Sequence, residues 1–268
     1  MTATQAVAVP GPTRKNPVLR ASVLAIVPIT VVAVWWIVAL VVNTSVITTP
    51  PVAFGQMLRF LGSPQYLADL AATAQTVLIA FLLALVLGAV VGFLLGTVPF
   101  WMRAVGPILN GMYSIPKVTI FPLFMVFLGL GIVCRTSFAF AHGFFPVAIL
   151  VMGATLNVRT TEIYLKLAAS LNMSRAQLIR VVLLPAVLPA FFTAARLGFG
   201  LTFLGAITAE MFASNGGIGY ELVRAMETVH VEQIFGQVVL IGIYALIPNA
   251  LLRWLEVALT TRRGGTVA

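Results

Sequence analysis

The chain has 268 residues, of which 60% are hydrophobic and only 9% are charged, where a soluble domain carries about 25% charged residues. Its 16 Lys and Arg outweigh 7 Asp and Glu, and none of these charges falls between Arg20 and Arg59, Asp69 and Arg103, Arg135 and Arg159, or Glu232 and Arg253. That pattern excludes a soluble enzyme, a disordered chain and a disulfide-stapled secreted domain, and leaves an all-α polytopic membrane helix bundle.

A bilayer-spanning helix needs about 20 apolar residues. Six segments qualify, at about 21–42, 70–97, 104–131, 136–156, 186–211 and 234–258. The first is too long for the roughly 7–15-residue core of a leader peptide and no small-residue cleavage site follows it, so it reads as a retained helix. The segment that follows, 43–69, is polar and carries Pro50 and Pro51. Its stretch 52–61 reads equally as an amphipathic helix on the outer interface or as an ordinary loop.

The second span carries Gly88, Gly92 and Gly96, and the fifth carries Ala190, Ala194, Gly198, Thr202 and Ala206. Lipid tails give no hydrophobic drive for helix association, so small residues four apart mark close backbone approach. Both rows predict helix packing, either as fixed seams or as sliding surfaces. The third span holds Pro116, Lys117 and Pro122. Each proline removes a backbone donor, and freed backbone groups survive at membrane depth only against protein or a water-filled cavity. This span is expected to be one kinked helix facing inward.

Six spans place both termini on one side. With that side cytoplasmic, ten basic residues lie inside (Arg14, Lys15, Arg20, Arg103, Arg159, Lys166, Arg175, Arg180, Arg262 and Arg263) and three outside (Arg59, Arg135 and Arg224). The positive-inside rule therefore predicts cytoplasmic N- and C-termini. The basic residues sit at the edges of apolar spans and not on one polar face, which argues against a nucleic-acid partner. The organisation is then a cytoplasmic tail over 1–20, a first helix and external segment over 21–66, a core over 67–260 with a cytoplasmic loop at 157–185, and a tail over 261–268.

An ionisable residue at membrane depth is a functional hypothesis by default. Lys117 is the main one, either as an anion-facing group in the pathway or as a snorkelling group near freed carbonyls. Met112, Tyr113, Pro116 and His142 join it as pathway or gating candidates. Glu210, ending the fifth span near the outer face, reads as a gate or as the partner of an outside basic residue. Arg196 reads as a topology anchor near the cytoplasmic end of its span or as an interhelix contact. Cys134 is the sole cysteine, and His142 and His230 have no ligand-like spacing, so neither a disulfide nor a metal site is expected. No catalytic constellation is visible.

Residues 157–185 are the most informative stretch. Arg159, Lys166, Arg175 and Arg180 alternate with apolar residues. A short helix at about 163–171 is expected, then Asn172, which tolerates left-handed geometry and ends helices. Ser174 with Gln177 three residues on has the form of a capping box for a second helix through Arg180. A helix–turn–helix on the cytoplasmic face is a docking surface for another protein.

This loop resembles the Glu-Ala-Ala loop of permease subunits of ATP-binding-cassette importers, through Ala168 and Ala169, then Ser174, then 181–185 and Pro189. Ile115, Pro116, Lys117, Pro122, Leu123 and 129–131 resemble that family's third-helix signature, and Ala209, Glu210 and Met211 with 217–220 resemble the segment after its fifth helix. The three blocks come in family order over about 70–260, and the nearest branch is that of nitrate, sulfonate and taurine permeases. Two positions depart from the pattern: Lys166 stands at the acidic position and Asn172 at the glycine.

The resemblance implies a type I importer fold with about six transmembrane helices in the bacterial inner membrane. It implies a homodimer of permeases, two cytoplasmic ATPases that hold the ATP and Mg, and an external solute-binding protein. Leu165, Lys166, Ala168, Ala169, Leu171, Asn172 and Ser174 would couple the permease to the ATPase. No phosphate-binding Gly-x4-Gly-Lys-Ser/Thr loop occurs here, so the chain itself is expected to be a transport subunit without cofactor or hydrolytic centre. The solute implied is a small anion, with a neutral heterocycle or vitamin precursor as the alternative. An ion-gradient-driven transporter would want inverted repeats and mid-depth acids, and neither is visible.

Overall fold

The computed structural model describes residues 17–42, 46–161, 164, 166 and 170–261. In chain order the helices are α1 (Pro17–Val42), α2 (Pro50–Leu61), α3 (Pro64–Thr97), α4 (Pro99–Ser114), α5 (Lys117–Leu128) and α6 (Ile132–Thr160), followed by α7 (Arg175–Ala213), α8 (Ile218–Glu227) and α9 (Val231–Thr261). Among the described residues there is no strand. Helix starts follow local chemistry. Pro50, Pro64 and Pro99 occupy first turns, where a missing N–H costs nothing. Ser63 caps α3 by accepting from the Tyr66 N–H at 3.4 Å.

Helix α6 is the centre of the bundle, packed between α3 and α7. The small-residue rows explain the closeness. A Cβ on Gly88 would lie 3.0 Å from the Phe144 carbonyl oxygen and one on Gly96 would lie 2.6 Å from that of Met152, while on Gly92 it would run into the Ala148 carbonyl oxygen. On the other side a Cβ on Gly198 would lie 2.5 Å from Val147 Cγ2. Ala194, Thr202 and Ala206 are fully buried. Phe81 of α3 meets Phe199 of α7 edge-on at 5.4 Å, and Phe203 leans on Tyr244 of α9 at 5.7 Å, so α9 joins the same core.

Helix α2 settles the open reading of 52–61: it is a helix, clamped across the start of α9. Gln56 Nε2 donates to Glu232 at 3.0 Å, and a Cβ on Gly236 would lie 2.7 Å from Gln56 Cβ. Trp35 of α1 stacks on Phe235 at 5.7 Å and donates to the Thr48 carbonyl at 3.0 Å.

Two expectations are corrected. The third span is not one kinked helix: α4 and α5 meet at 91° across Ile115 and Pro116. Ile115, the residue before Pro116, takes extended backbone (φ −66°, ψ 129°) and ends α4. The fifth span is not preceded by a separate second helix, because α7 runs without a break from Arg175 to Ala213. A π-helical stretch at Leu178–Leu183 absorbs Pro185, whose ring would otherwise crowd the preceding turn.

Among the described residues, four helices are long and apolar enough to cross a membrane, or five with the bent α4–α5 pair as one. Within α1, Ile26–Val42 is a shorter apolar helical stretch. At 1.5 Å per residue α3 is about 51 Å long, more than the ~30 Å hydrocarbon layer.

Candidate functional site

Three places gather the chemically capable side chains. The first lies where α7 hands over to α8. Helix α8 starts at Gly217, whose φ of 100° suits glycine and whose added Cβ would sit 2.5 Å from the Glu210 carboxyl carbon. A helix start leaves orphan N–H groups, and Gly217 has no side chain to cap them. Distant helices do so instead. The Gly217 N–H donates to Asp69 Oδ1 at 2.7 Å, Ile218 N–H to Thr73 Oγ1 at 3.0 Å and Gly219 N–H to Glu210 Oε2 at 3.1 Å. Thr73 Oγ1 lies 2.8 Å from Glu210 Oε2 and 3.1 Å from the Asp69 carbonyl, either of which can take its proton.

Arg135, in the first turn of α6, closes the cluster. Its Nη1 lies 3.7 Å from Glu210 Oε1 and donates to Ser214 Oγ at 2.9 Å and to the Gly216 carbonyl at 3.2 Å. Ser214 Oγ also contacts the Gly216 carbonyl and accepts from the Gly216 N–H at 3.2 Å. Glu210 is fully buried and Asp69 is buried at 5% exposure. A buried charge is tolerated only when paired and hydrogen-bonded; Glu210 has both, through Arg135 and through Thr73 and Gly219, and Asp69 accepts from the Gly217 N–H, so the cluster ties α3, α6, α7 and α8 together at one end of the bundle.

The second place is the α4–α5 break. Lys117 Nζ donates to the Tyr113 carbonyl at 3.2 Å, lies 4.8 Å from the Tyr113 ring centroid and 5.7 Å from that of Phe145 on α6. It therefore sits at the C-terminal end of α4, where freed carbonyls and the helix dipole favour a cation, held further by two aromatic faces. Pro116, Met112 and Tyr113 are exposed beside it. Phe121 anchors α5 by its contacts with Phe138 at 4.6 Å and Phe212 at 5.9 Å. His142 is half-buried one turn before Phe145. Its Nδ1 lies 3.0 Å from the Phe138 carbonyl, and a Cβ on Gly205 would meet its ring at 2.8 Å. That ring fills the α6–α7 seam.

The third place is the turn before α7. Asn172 has φ 46°, the left-handed geometry that ends a helix. Ser174 accepts from the Gln177 N–H at 3.3 Å, and Gln177 Oε1 accepts from the Ser174 N–H at 2.8 Å, a complete capping box. Lys166, Ser170, Leu171, Asn172 and Ser174 are exposed, and the Ser170 hydroxyl donates to the Lys166 carbonyl at 2.8 Å, four residues back. Leu165, Ala168 and Ala169 lie outside the described residues.

The structure thus brings Met112, Tyr113, Pro116 and Lys117 together, with His142 packed one turn below Phe145. Glu210 belongs to a different cluster. Sequence reading missed Asp69, Thr73 and the involvement of the loop 214–217. The one available signal was the placement of Arg135 and Glu210 at span ends on the same side. Among the described residues no group of three His, Cys, Asp or Glu is placed to hold a metal ion.

Comparison with known proteins accords with this architecture. The pattern of the family described as "Binding-protein-dependent transport system inner membrane component" matches residues 87–264. The taurine transport system permease protein of Escherichia coli (strain K12) is 28% identical over 86% of each chain. The putative aliphatic sulfonates transport permease protein of Bacillus subtilis (strain 168) is 26% identical over 86% of this chain and 84% of its own. In fold, the chain is similar to the MetNI methionine ABC transporter in inward-facing conformations, with a TM-score of 0.59 at 19% identity, covering 80% of this chain and 99% of the other. With the family pattern spanning more than half of its length, the chain belongs to the inner-membrane components of binding-protein-dependent transport systems, as a multi-pass ABC importer permease.

Proposed function

We propose that this permease, as a homodimer with two cytoplasmic ATPases and an external solute-binding protein, forms the pathway for a small anion such as a sulfonate, taurine or nitrate. Both termini face the cytoplasm. The ATPase docks on the loop centred on 162–175, and ATP with Mg is held on that partner chain. The observation that supports the coupling reading is the exposed left-handed turn at Asn172 followed directly by the Ser174 capping box, which leads straight into α7. A push on that turn is delivered to a 39-residue helix that reaches the opposite end of the bundle.

The mechanical division follows from the packing. Helices α3, α6 and α7 interlock through small residues and through the Glu210 cluster, so they move as one body. The α4–α5 pair is bent by 91° and seated through Phe121 on α5 and through Gly106 and Leu109 on α4, with most of its other residues exposed, so it is the element that can take two positions. Alternating access requires two states with different contacts. Lys117 at the break presents a cation where an anion would pass, with Met112, Tyr113, Pro116 and His142 around it as gating residues. Lys166 and Asn172, at positions where related loops have an acid and a glycine, fit an ATPase whose contact surface has changed to match.

The test is copurification and energisation. Tagged permease extracted in mild detergent should bring down an ATPase, and vesicle uptake of a labelled sulfonate should follow internal ATP. Absence of an ATPase, with uptake that survives ATP depletion and follows the proton gradient, would overturn the reading. Competition by a neutral heterocycle in place of sulfonates would overturn the anion assignment alone.

A further inference from the structure

A groove of about 580 Å³ lies between α7 and α9, lined by Arg196, Leu197, Leu246, Asn249, Ala250 and Arg253. It shares no lining residue with the Lys117 break, the Glu210 cluster or the coupling turn. Leu246, Asn249, Ala250 and Arg253 follow the i, i+3, i+4, i+7 spacing of a single helix face. Arg196 faces them from α7 and is held toward α9 by Glu256 at 2.7 Å. Its guanidinium carries five N–H donors in a fixed fork, more than one carboxylate oxygen uses. Arg253 is exposed. Among the described residues at the groove, two arginines stand against one carboxylate, Glu256, a basic lining that suits an anionic headgroup.

The depth is that of a headgroup. Arg196 precedes the α7 terminus Ala213 by 17 residues and Arg253 follows the α9 start Val231 by 22, distances of about 26 and 33 Å along the helices. With the Ala213 and Val231 ends at one interface, both guanidinium groups reach the other interface of a ~30 Å core. Leu197 (45% exposed) and Leu246 (65% exposed) continue the groove toward the membrane centre, where acyl chains would lie. Trp254, 65% exposed beside Arg253, is a residue type that sits at the headgroup level.

We propose that this groove binds an anionic phospholipid of the inner leaflet, its phosphate between Arg196 and Arg253 with Asn249 as a further donor, and its acyl chains along Leu197 and Leu246. The assignment to the inner leaflet rests on the orientation given under Proposed function. Basic pockets between transmembrane helices on the cytoplasmic side are the recurrent geometry for such headgroups. Arg196 then has two roles, pairing with Glu256 within the bundle and with lipid at its edge.

The test uses the full-length permease purified in mild detergent with whatever subunits accompany it. Bound lipid is read by native mass spectrometry after incubation with phosphatidylglycerol or phosphatidylcholine. Wild-type protein should retain phosphatidylglycerol selectively. Arg253→Gln should weaken that retention about fivefold, the scale of one basic residue near an anionic surface, and Ala250→Phe should weaken it by filling the groove with no change of charge. Arg180→Gln, which removes an exposed arginine outside the groove, should leave retention unchanged. Equal retention in wild type and Arg253→Gln, or an equal loss in Arg180→Gln, would overturn the site. Displacement by millimolar inorganic phosphate would reassign it to a free anion. None of these readouts involves ATP or uptake, so failure here is distinguishable from failure of the transport reading.

Discussion

Replacing Arg135 by Met keeps much of the side chain's bulk but leaves the Glu210 carboxylate buried with no cation. The charges are 3.7 Å apart. Coulomb's law at an effective dielectric constant of about 20 gives roughly 4 kcal/mol for that separation, within the ~3–5 kcal/mol found when one partner of a buried pair is removed. The hydrogen bonds from Thr73 and Gly219 to Oε2 remain and soften the loss, so about 3 kcal/mol is expected. For a chain of this size that corresponds to a fall in Tm of about 6–12 °C, measured as thermal unfolding of the purified permease in mild detergent. Adding Glu210→Gln should recover most of it. The Gln carbonyl oxygen still accepts from Thr73 and Gly219, and position 210 no longer carries a charge that needs Arg135. The double variant should therefore be more stable than Arg135→Met alone. If Arg135→Met melts within about 1 °C of wild type, or if the second change adds to the loss, Arg135 does not neutralise Glu210 and the cluster is not a fastening of the four helices.

Other outcomes follow from the same structure. Gly92→Leu should destabilise the α3–α6 seam by about 1–3 kcal/mol, since its Cβ meets the Ala148 carbonyl and lies 3.0 Å from Met152 N, whereas Gly153→Ala, with nothing within 4 Å, should be neutral or stabilising by up to ~1 kcal/mol; equal melting curves for both would refute the seam. Ser174→Ala should remove about 1 kcal/mol from the start of α7, seen as faster amide exchange at Gln177, and unchanged exchange would show that the capping box contributes nothing. Lys117→Gln should raise the KM for an anionic solute several-fold in a permease that still folds, and an unchanged KM would remove Lys117 from the pathway.

Much of this arrangement is visible in the residues. Spans, glycine rows, the Asn172 turn and the Ser174–Gln177 box depend on chemistry within four or so residues of each other, and periodicity and capping rules read at that range. The bend between α4 and α5 is signalled by Pro116 and Pro122, but its 91° angle is set by what Phe121 packs against on α6 and α7. The early start of α7 was hidden because Pro185 reads as a stop, while a π-helical stretch allows the helix to pass it. The Glu210 cluster was least legible. Its members come from positions 69, 73, 135, 210 and 217, and only packing of α3, α6 and α7 around shared small residues brings them together.

The central claim, that motion of an ATPase enters through the loop centred on 162–175, is tested most directly by Ala168→Glu in the reconstituted complex, with ATP hydrolysis and solute uptake measured on the same vesicles. The account predicts that the permease assembles, that ATP is still hydrolysed and that uptake falls at least about tenfold, a loss of about 1.4 kcal/mol in coupling. Uptake at the wild-type rate per ATP hydrolysed would contradict it.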